Sequence, residues 1–205
     1  MSKIITAANI EKAFSYKSYR DLVDEQLMQG ETASGNNNNY ALVEYTKLNV
    51  QRMKCLDKTV YLMPELIKEL KNLQEKWFWV VLAEGWCGDV AQNLPVISKM
   101  ADITENIDLK ILQRDKNPAI MDAYLTNGGK AIPKLICLTA DTMREKGTWG
   151  PRPEPAQKMV TDFKQSGDGD YKKFVEKVQL WYAKDKWQTI QKEFLHLVNY
   201  WKAKH

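Results

Sequence analysis

Cysteine and histidine are both scarce in this chain of 205 residues, which has three of the first and two of the second. Cys55, Cys87 and Cys137 are an odd number without regular spacing, so neither a disulfide framework nor a zinc knuckle is expected. His196 and His205 alone do not make a histidine-rich metal site, and no metal or other cofactor is expected. An apolar run of membrane-spanning length is missing too, and the opening MSKIITAANIEKAF lacks the uninterrupted apolar stretch of an export signal. The expectation is a cytoplasmic protein with no membrane partner. Nor is there an excess of charge of one sign: 30 Lys and Arg against 26 Asp and Glu leave a net +4, which gives no strong argument for nucleic acid.

The length suffices for one well-buried core and falls short of two full domains. Three segments organise it: a helical N-terminal extension over 1–58, a central domain over 59–166 and a helical C-terminal extension over 167–205. In the first, helices are expected over Ser18–Met28, with Ser18 as N-cap, and over Tyr40–Leu56. The tract Gly30–Asn39 reads as a mobile loop. Thr59–Met63 suits a short edge strand, and a helix follows from Pro64 to Glu75.

Trp77–Ala83 (WFWVVLA) is a Val- and aromatic-rich run that fits a buried strand. Beyond it, Leu94, Ile97, Met100 and Ala101 recur at helical spacing. Strands at Leu109–Leu112 and Lys134–Leu138 flank a helix over Ala119–Leu125, and Thr142–Trp149 reads as a hairpin partner. A helix over Glu154–Gln165 is expected to bury Met159, Val160 and Phe163. Gly167–Asp170 reads as a hinge before a helical tail to Trp201, whose aromatic stripe (Phe174, Trp181, Phe194, Trp201) needs cover. The N-terminal helices or a second copy in a homodimer would provide it. The order βαβαββα argues for an α/β fold, a mixed sheet with helices on both faces.

Trp86-Cys87-Gly88-Asp89-Val90 lies between the strand end and the next helix, where free backbone N–H groups and the helix dipole favour a thiolate. Asp89 opposes this by its negative charge. The expected balance is a modest lowering of the Cys87 pKa. Trp86 is expected to shield one side of the thiol.

Three motifs in order resemble the thioredoxin superfamily over about residues 60–166: Ala83-Glu84-Gly85-Trp86-Cys87-Gly88, Asp115-Lys116-Asn117-Pro118, and Gly129-Lys130-Ala131-Ile132-Pro133-Lys134-Leu135. The resemblance implies the thioredoxin fold, a cis peptide at Pro133, and an Ile132-Pro133 loop that presents its backbone to an extended substrate strand beside the thiol. Three departures occur together. Val90 stands where thioredoxins have the resolving cysteine, Val81 where they bury an aspartate, and Ile111 where they place its lysine partner. Losing both charges of a buried pair is physically coherent.

Of the other cysteines, Cys137 does not supply the missing thiol, while a resolving role for Cys55 stays open. Cys137 lies four residues beyond Pro133 on a strand, roughly 13 Å away, whereas a disulfide needs Cα atoms within about 7 Å. It reads as a core residue, and Cys55 sits on a helix that the sequence does not place. Trp149-Gly150-Pro151-Arg152-Pro153 is similar to a motif of a bacterial thioredoxin-like branch with a Trp-Cys-Gly-Asp turn. It reads either as a rigid turn or as a way of bringing Arg152 to the groove to meet a substrate carboxylate. The resemblance thus implies monothiol disulfide exchange. Cys87 is the nucleophile, and Trp86, Gly88, Asp89, Ile132, Pro133 and Arg152 line the substrate groove. A disulfide-containing protein and a low-molecular-weight thiol are the expected partners. A redox-inactive module that binds a protein partner is the alternative.

Overall fold

A computed structural model describes residues 4–30, 40–167 and 169–204. Most of the expected loop Gly30–Asn39 lies outside the described residues, as does Asp168 of the expected hinge. The first helix, α1 (Ala7–Lys12), starts with a reciprocal cap in which the side chains of Thr6 and Asn9 each bond the other's backbone. Helix α2 (Tyr16–Met28) begins earlier than the sequence suggests: its cap is Ser15, whose hydroxyl accepts from the Ser18 N–H at 3.1 Å. Ser15 and Ser18 compete for the same role, and Tyr16 adds an apolar residue to the first turn, so the cap falls one turn upstream.

Helix α3 (Tyr40–Thr59) runs through the start of the expected edge strand, and no strand forms at Thr59–Met63. The Val60 N–H still bonds the Leu56 carbonyl, while the Met63 N–H is taken by the Gln191 side chain at 2.7 Å. With these donors engaged elsewhere, no ladder can start. Helix α4 (Pro64–Lys71) opens on its proline, whose missing N–H costs nothing at that position.

The sheet contains β1 (Trp77–Ala83), β2 (Ile107–Gln113), β3 (Lys134–Thr139) and β4 (Glu145–Trp149) in the order β2-β1-β3-β4. β1 runs parallel to β2, with Trp77 opposite Ile107, and antiparallel to β3, with Trp77 opposite Thr139. As the central strand, β1 is covered on both faces, which is why its sequence is an unbroken apolar run rather than an alternation. β3 and β4 form the antiparallel hairpin. At the outer edge of β2, Phe14 exchanges two backbone hydrogen bonds with Ile111.

Between β1 and β2 lies α5 (Gly88–Ala101), and α6 (Pro118–Ala123) precedes the loop to β3. After β4 comes α7 (Glu154–Ser166), in which only Ala156 is buried. Met159, Val160 and Phe163, expected in the core, are half-buried. Phe163 instead stacks on Phe174 of the tail, with ring centroids 4.1 Å apart. The tail is two helices, α8 (Tyr171–Asp185) and α9 (Gln188–Ala203), joined at Lys186 and Trp187, both in the left-handed region. α9 packs on α4 and on the sheet, where Phe194 and Trp201 interleave with Trp77, Trp79 and Trp149. Among the described residues no helix is long and apolar enough to cross a membrane.

Candidate functional site at the Cys87 turn

Cys87 is the N-cap of α5, with extended backbone, and its own N–H bonds the Glu84 carbonyl at 3.1 Å. Its thiol donates to the Ile132 carbonyl at 3.4 Å, which brings the first and third sequence motifs into contact. The Ile132–Pro133 peptide is cis, as is Gly150–Pro151. Trp86 packs beneath Arg114, whose guanidinium carbon lies 4.8 Å from the ring centroid and whose Nη1 reaches the Lys130 carbonyl. A cation–π contact thus connects the turn to the loop carrying Pro133. Val90 is fully buried where a second thiol would stand.

The charge at Asp89 is held by two partners from distant sequence. Arg152 donates Nε and Nη2 to Oδ2 at 3.0 and 2.6 Å, and Tyr182 donates its hydroxyl to Oδ1 at 2.7 Å. Asn93, one turn along α5, bonds both the Asp89 carbonyl and the Tyr182 oxygen. Arg152 also donates to Gln157, so its guanidinium is engaged within the protein. Both charged side chains are about one-seventh exposed. Gly150 of the same motif lies flush against the Pro133 carbonyl, with φ +109°. The Trp149–Pro153 segment therefore braces the site from two directions, one through Gly150 and one through Arg152.

The expected lowering of the thiol pKa is not found. Burial pushes Cys87 up to about 12, the Asp89 carboxylate adds to the rise, and the N–H groups of Val90 and Asp89 with the Arg152 charge only partly oppose it. Dipole and charge are the two effects legible in the sequence, and desolvation, which is not, dominates here. The covering elements come from both extensions. Val23 of α2 meets Gly85, Asn49 of α3 donates to the Gly85 carbonyl at 3.0 Å, and Gln179 of α8 lies over Gly88.

Glu84 and Tyr19 were not foreseen. The Glu84 carboxyl is fully buried; Oε1 accepts the Asp115 N–H at 2.9 Å, and Oε2 has no partner among the described residues. Burial raises its pKa to about 7. Tyr19, also buried, is pushed well up by burial and then by the nearby Glu84 charge. A charged residue at a strand end reads as surface, so only the tertiary cover reveals this carboxyl. Of the other cysteines, Cys137 is buried opposite Trp79 in the sheet and Cys55 is exposed on α3; all three are free thiols. Among the described residues no group of His, Cys, Asp and Glu is placed to hold a metal ion.

A thioredoxin family model matches residues 35–164. This chain belongs to the thioredoxin family. No curated protein sequence matches it. Two solved structures share the fold across both extensions: a Pseudomonas aeruginosa protein of unknown function (14% identity, TM-score 0.60, covering 95% of this chain and 98% of that one) and an HIV epitope scaffold (16%, 0.57, 95% and 97%). At such identities they show the fold alone. The helical extensions are thus part of an arrangement found in other chains.

Proposed function

We propose that this thioredoxin-family chain carries out thiol–disulfide exchange as a monothiol, with Cys87 as nucleophile, a disulfide-containing protein as substrate and a low-molecular-weight thiol as resolving agent. The observation that carries this reading is the seat of the thiol: the N-cap position of a 14-residue helix, with Sγ donating to the Ile132 carbonyl at 3.4 Å and the cis-Pro133 loop alongside. The Cys87 thiolate attacks one sulfur of the substrate disulfide, a mixed disulfide forms, and the second substrate sulfur leaves as a thiolate. The small thiol, deprotonated, then attacks the substrate sulfur of the mixed disulfide and releases Cys87, which takes up a proton. Each step exchanges one S–S bond for another, so no external oxidant is needed.

With burial pushing the thiol up to about 12, slow exchange by the free protein is expected. A thiol near 12 is ionised to roughly one part in 10⁵ at neutral pH, against a few per cent for an ordinary cysteine. The stronger nucleophilicity of the more basic thiolate offsets part of that, which leaves exchange about 100-fold slower than for an unperturbed thiol. A substrate strand docked on Ile132-Pro133 would hold its disulfide beside the Cys87 thiol. Reduction of a mixed disulfide on a peptide substrate tests the reading: activity lost in Cys87→Ser supports it, and activity equal to wild type removes it.

A second reading, a redox-inactive module that binds a protein partner through the same groove, is favoured by the raised thiol pKa and by Val90. Partner capture kept by Cys87→Ser but lost in Pro133→Ala would select it.

A further inference from the structure

A cleft of about 180 Å³ opens between α3, α5 and the corner joining α8 to α9, walled by Leu56, Tyr182, Ile190 and the Trp187 ring, with Arg52 and Asn93 as polar lining. Arg52 is half-buried, and among the described residues it has no acidic partner; its one side-chain bond is Nη1 to Asn49 Oδ1 at 3.0 Å. Burial lowers its pKa with no carboxylate to oppose the shift. The buried indole N–H of Trp187, a residue that also lines the cleft, has no acceptor among the described residues. The acid that lines the cleft, Asp185, has both oxygens engaged by Thr189. A half-buried guanidinium without a counter-ion favours an anionic partner, and a planar carboxylate matches its fork.

We propose that this cleft binds the carboxylate of a small molecule of amino-acid size with an apolar body, paired to Arg52. The volume is below the range of about 300–1,000 Å³ for drug-sized ligands, so a small acid or one end of a larger one fits. One guanidinium with Asp185 nearby suits a monoanion and disfavours a phosphate dianion. The site is coupled to the thiol turn. Arg52 bonds Asn49, Asn49 bonds the Gly85 carbonyl, and Arg52 Nη1 lies 3.9 Å from where a Cβ on Gly88 would sit. Resting on the exchange reading, the occupant is the carboxylate end of the small thiol that resolves Cys87; the cleft itself stands without that reading. Arg152, the cation expected for this role from sequence, is bound to Asp89 instead.

N-acetyl-S-methylcysteine, an unreactive monocarboxylate of this size, is the probe, with nuclear magnetic resonance titration of the full chain following the Trp187 indole signal. Saturable binding is expected, weakened at least tenfold in Arg52→Gln and for the methyl ester of the probe on wild-type protein, and partly kept in Arg52→Lys. Absence of saturable binding, an ester that binds as tightly as the acid, or inorganic phosphate binding more tightly than the probe would each overturn the assignment. The ester comparison needs no variant, so misfolding of Arg52→Gln cannot obscure the result. Cys87→Ser is expected to bind the probe unchanged, so binding survives even where the exchange reading fails.

Discussion

The two helices of the C-terminal extension dock in different ways. α9 buries an aromatic face, with Phe194 and Trp201 filling the space against Trp77, Trp79 and Trp149, and the hydrogen bonds of its Gln191, Glu193 and Lys202 go to parts of the fold away from the thiol turn. α8 reaches α5 and the thiol turn through hydrogen bonds, with Gln179 to Gln92 at 2.8 Å and Tyr182 to Asp89 and Asn93. Apolar packing is non-directional and holds the fold, whereas a hydrogen-bonded contact sets the charge around the groups it touches. α9 is thus a structural helix, and α8 is part of the site.

Breaking the α9 side is expected to have the largest effect. Trp201→Ala should cost about 3–5 kcal/mol of stability, read from urea denaturation, as for other large aromatic truncations in a core. A cost under about 1 kcal/mol would remove the distinction between the helices. Next comes Glu84, whose folded pKa of about 7 lies above the ordinary 4.5. The native state then holds a proton that the unfolded state has lost between those values, so stability falls as pH rises from 4.5 to 7. Glu84→Gln, which keeps an acceptor for the Asp115 N–H, should gain up to about 3 kcal/mol over wild type at pH 8 and little at pH 4.5. An equal difference at both pH values would show that the carboxyl ionises normally.

On the α8 side the effects are smaller in stability and larger in chemistry. Asp89→Asn removes the charge that disfavours the thiolate and leaves the Arg152 cation in place, so the midpoint for Cys87 alkylation should fall and its rate at pH 8 rise at least tenfold. Mass spectrometry of the alkylated peptides separates Cys87 from Cys55. A rate that stays unchanged would mean burial alone controls the thiol. Tyr182→Phe should cost about 2 kcal/mol, since the hydroxyl's bond to the Asp89 carboxylate and the one it accepts from Asn93 are both lost and the ring stays. A loss as large as that of Trp201→Ala would make α8 a structural helix as well.

The sequence carried the parts of this molecule whose signals are local. The apolar run of β1, the α5 periodicity and the three spaced motifs placed the sheet and the thiol, because strand burial and helix faces are written in neighbouring residues. Thr59–Met63 was misread because its backbone donors are taken by Leu56 and Gln191, and the second of these lies in the last helix. The partners of Asp89 were hidden for the same reason: Arg152 and Tyr182 meet it only after folding, and nothing in a lysine-rich helix marks one tyrosine as a ligand of the turn. Arg52 reads as an ordinary solvated helix residue until α8 and α9 close over it. Desolvation, which reverses the expected thiol shift, is a property of cover and has no local signature.

Gly150 sets the spacing of two neighbours at once. Its backbone, at a φ of +109°, lies against the Pro133 carbonyl, and two residues later the chain delivers Arg152 to Asp89. A side chain there would have to push the loop outward, and the arginine that follows would move with it. The width of the groove beside Cys87 and the electrostatic surroundings of its sulfur are therefore not independent variables in this protein. An engineer seeking to widen one must first disconnect it from the other, by lengthening the Trp149–Pro153 turn rather than by changing any residue that faces the thiol.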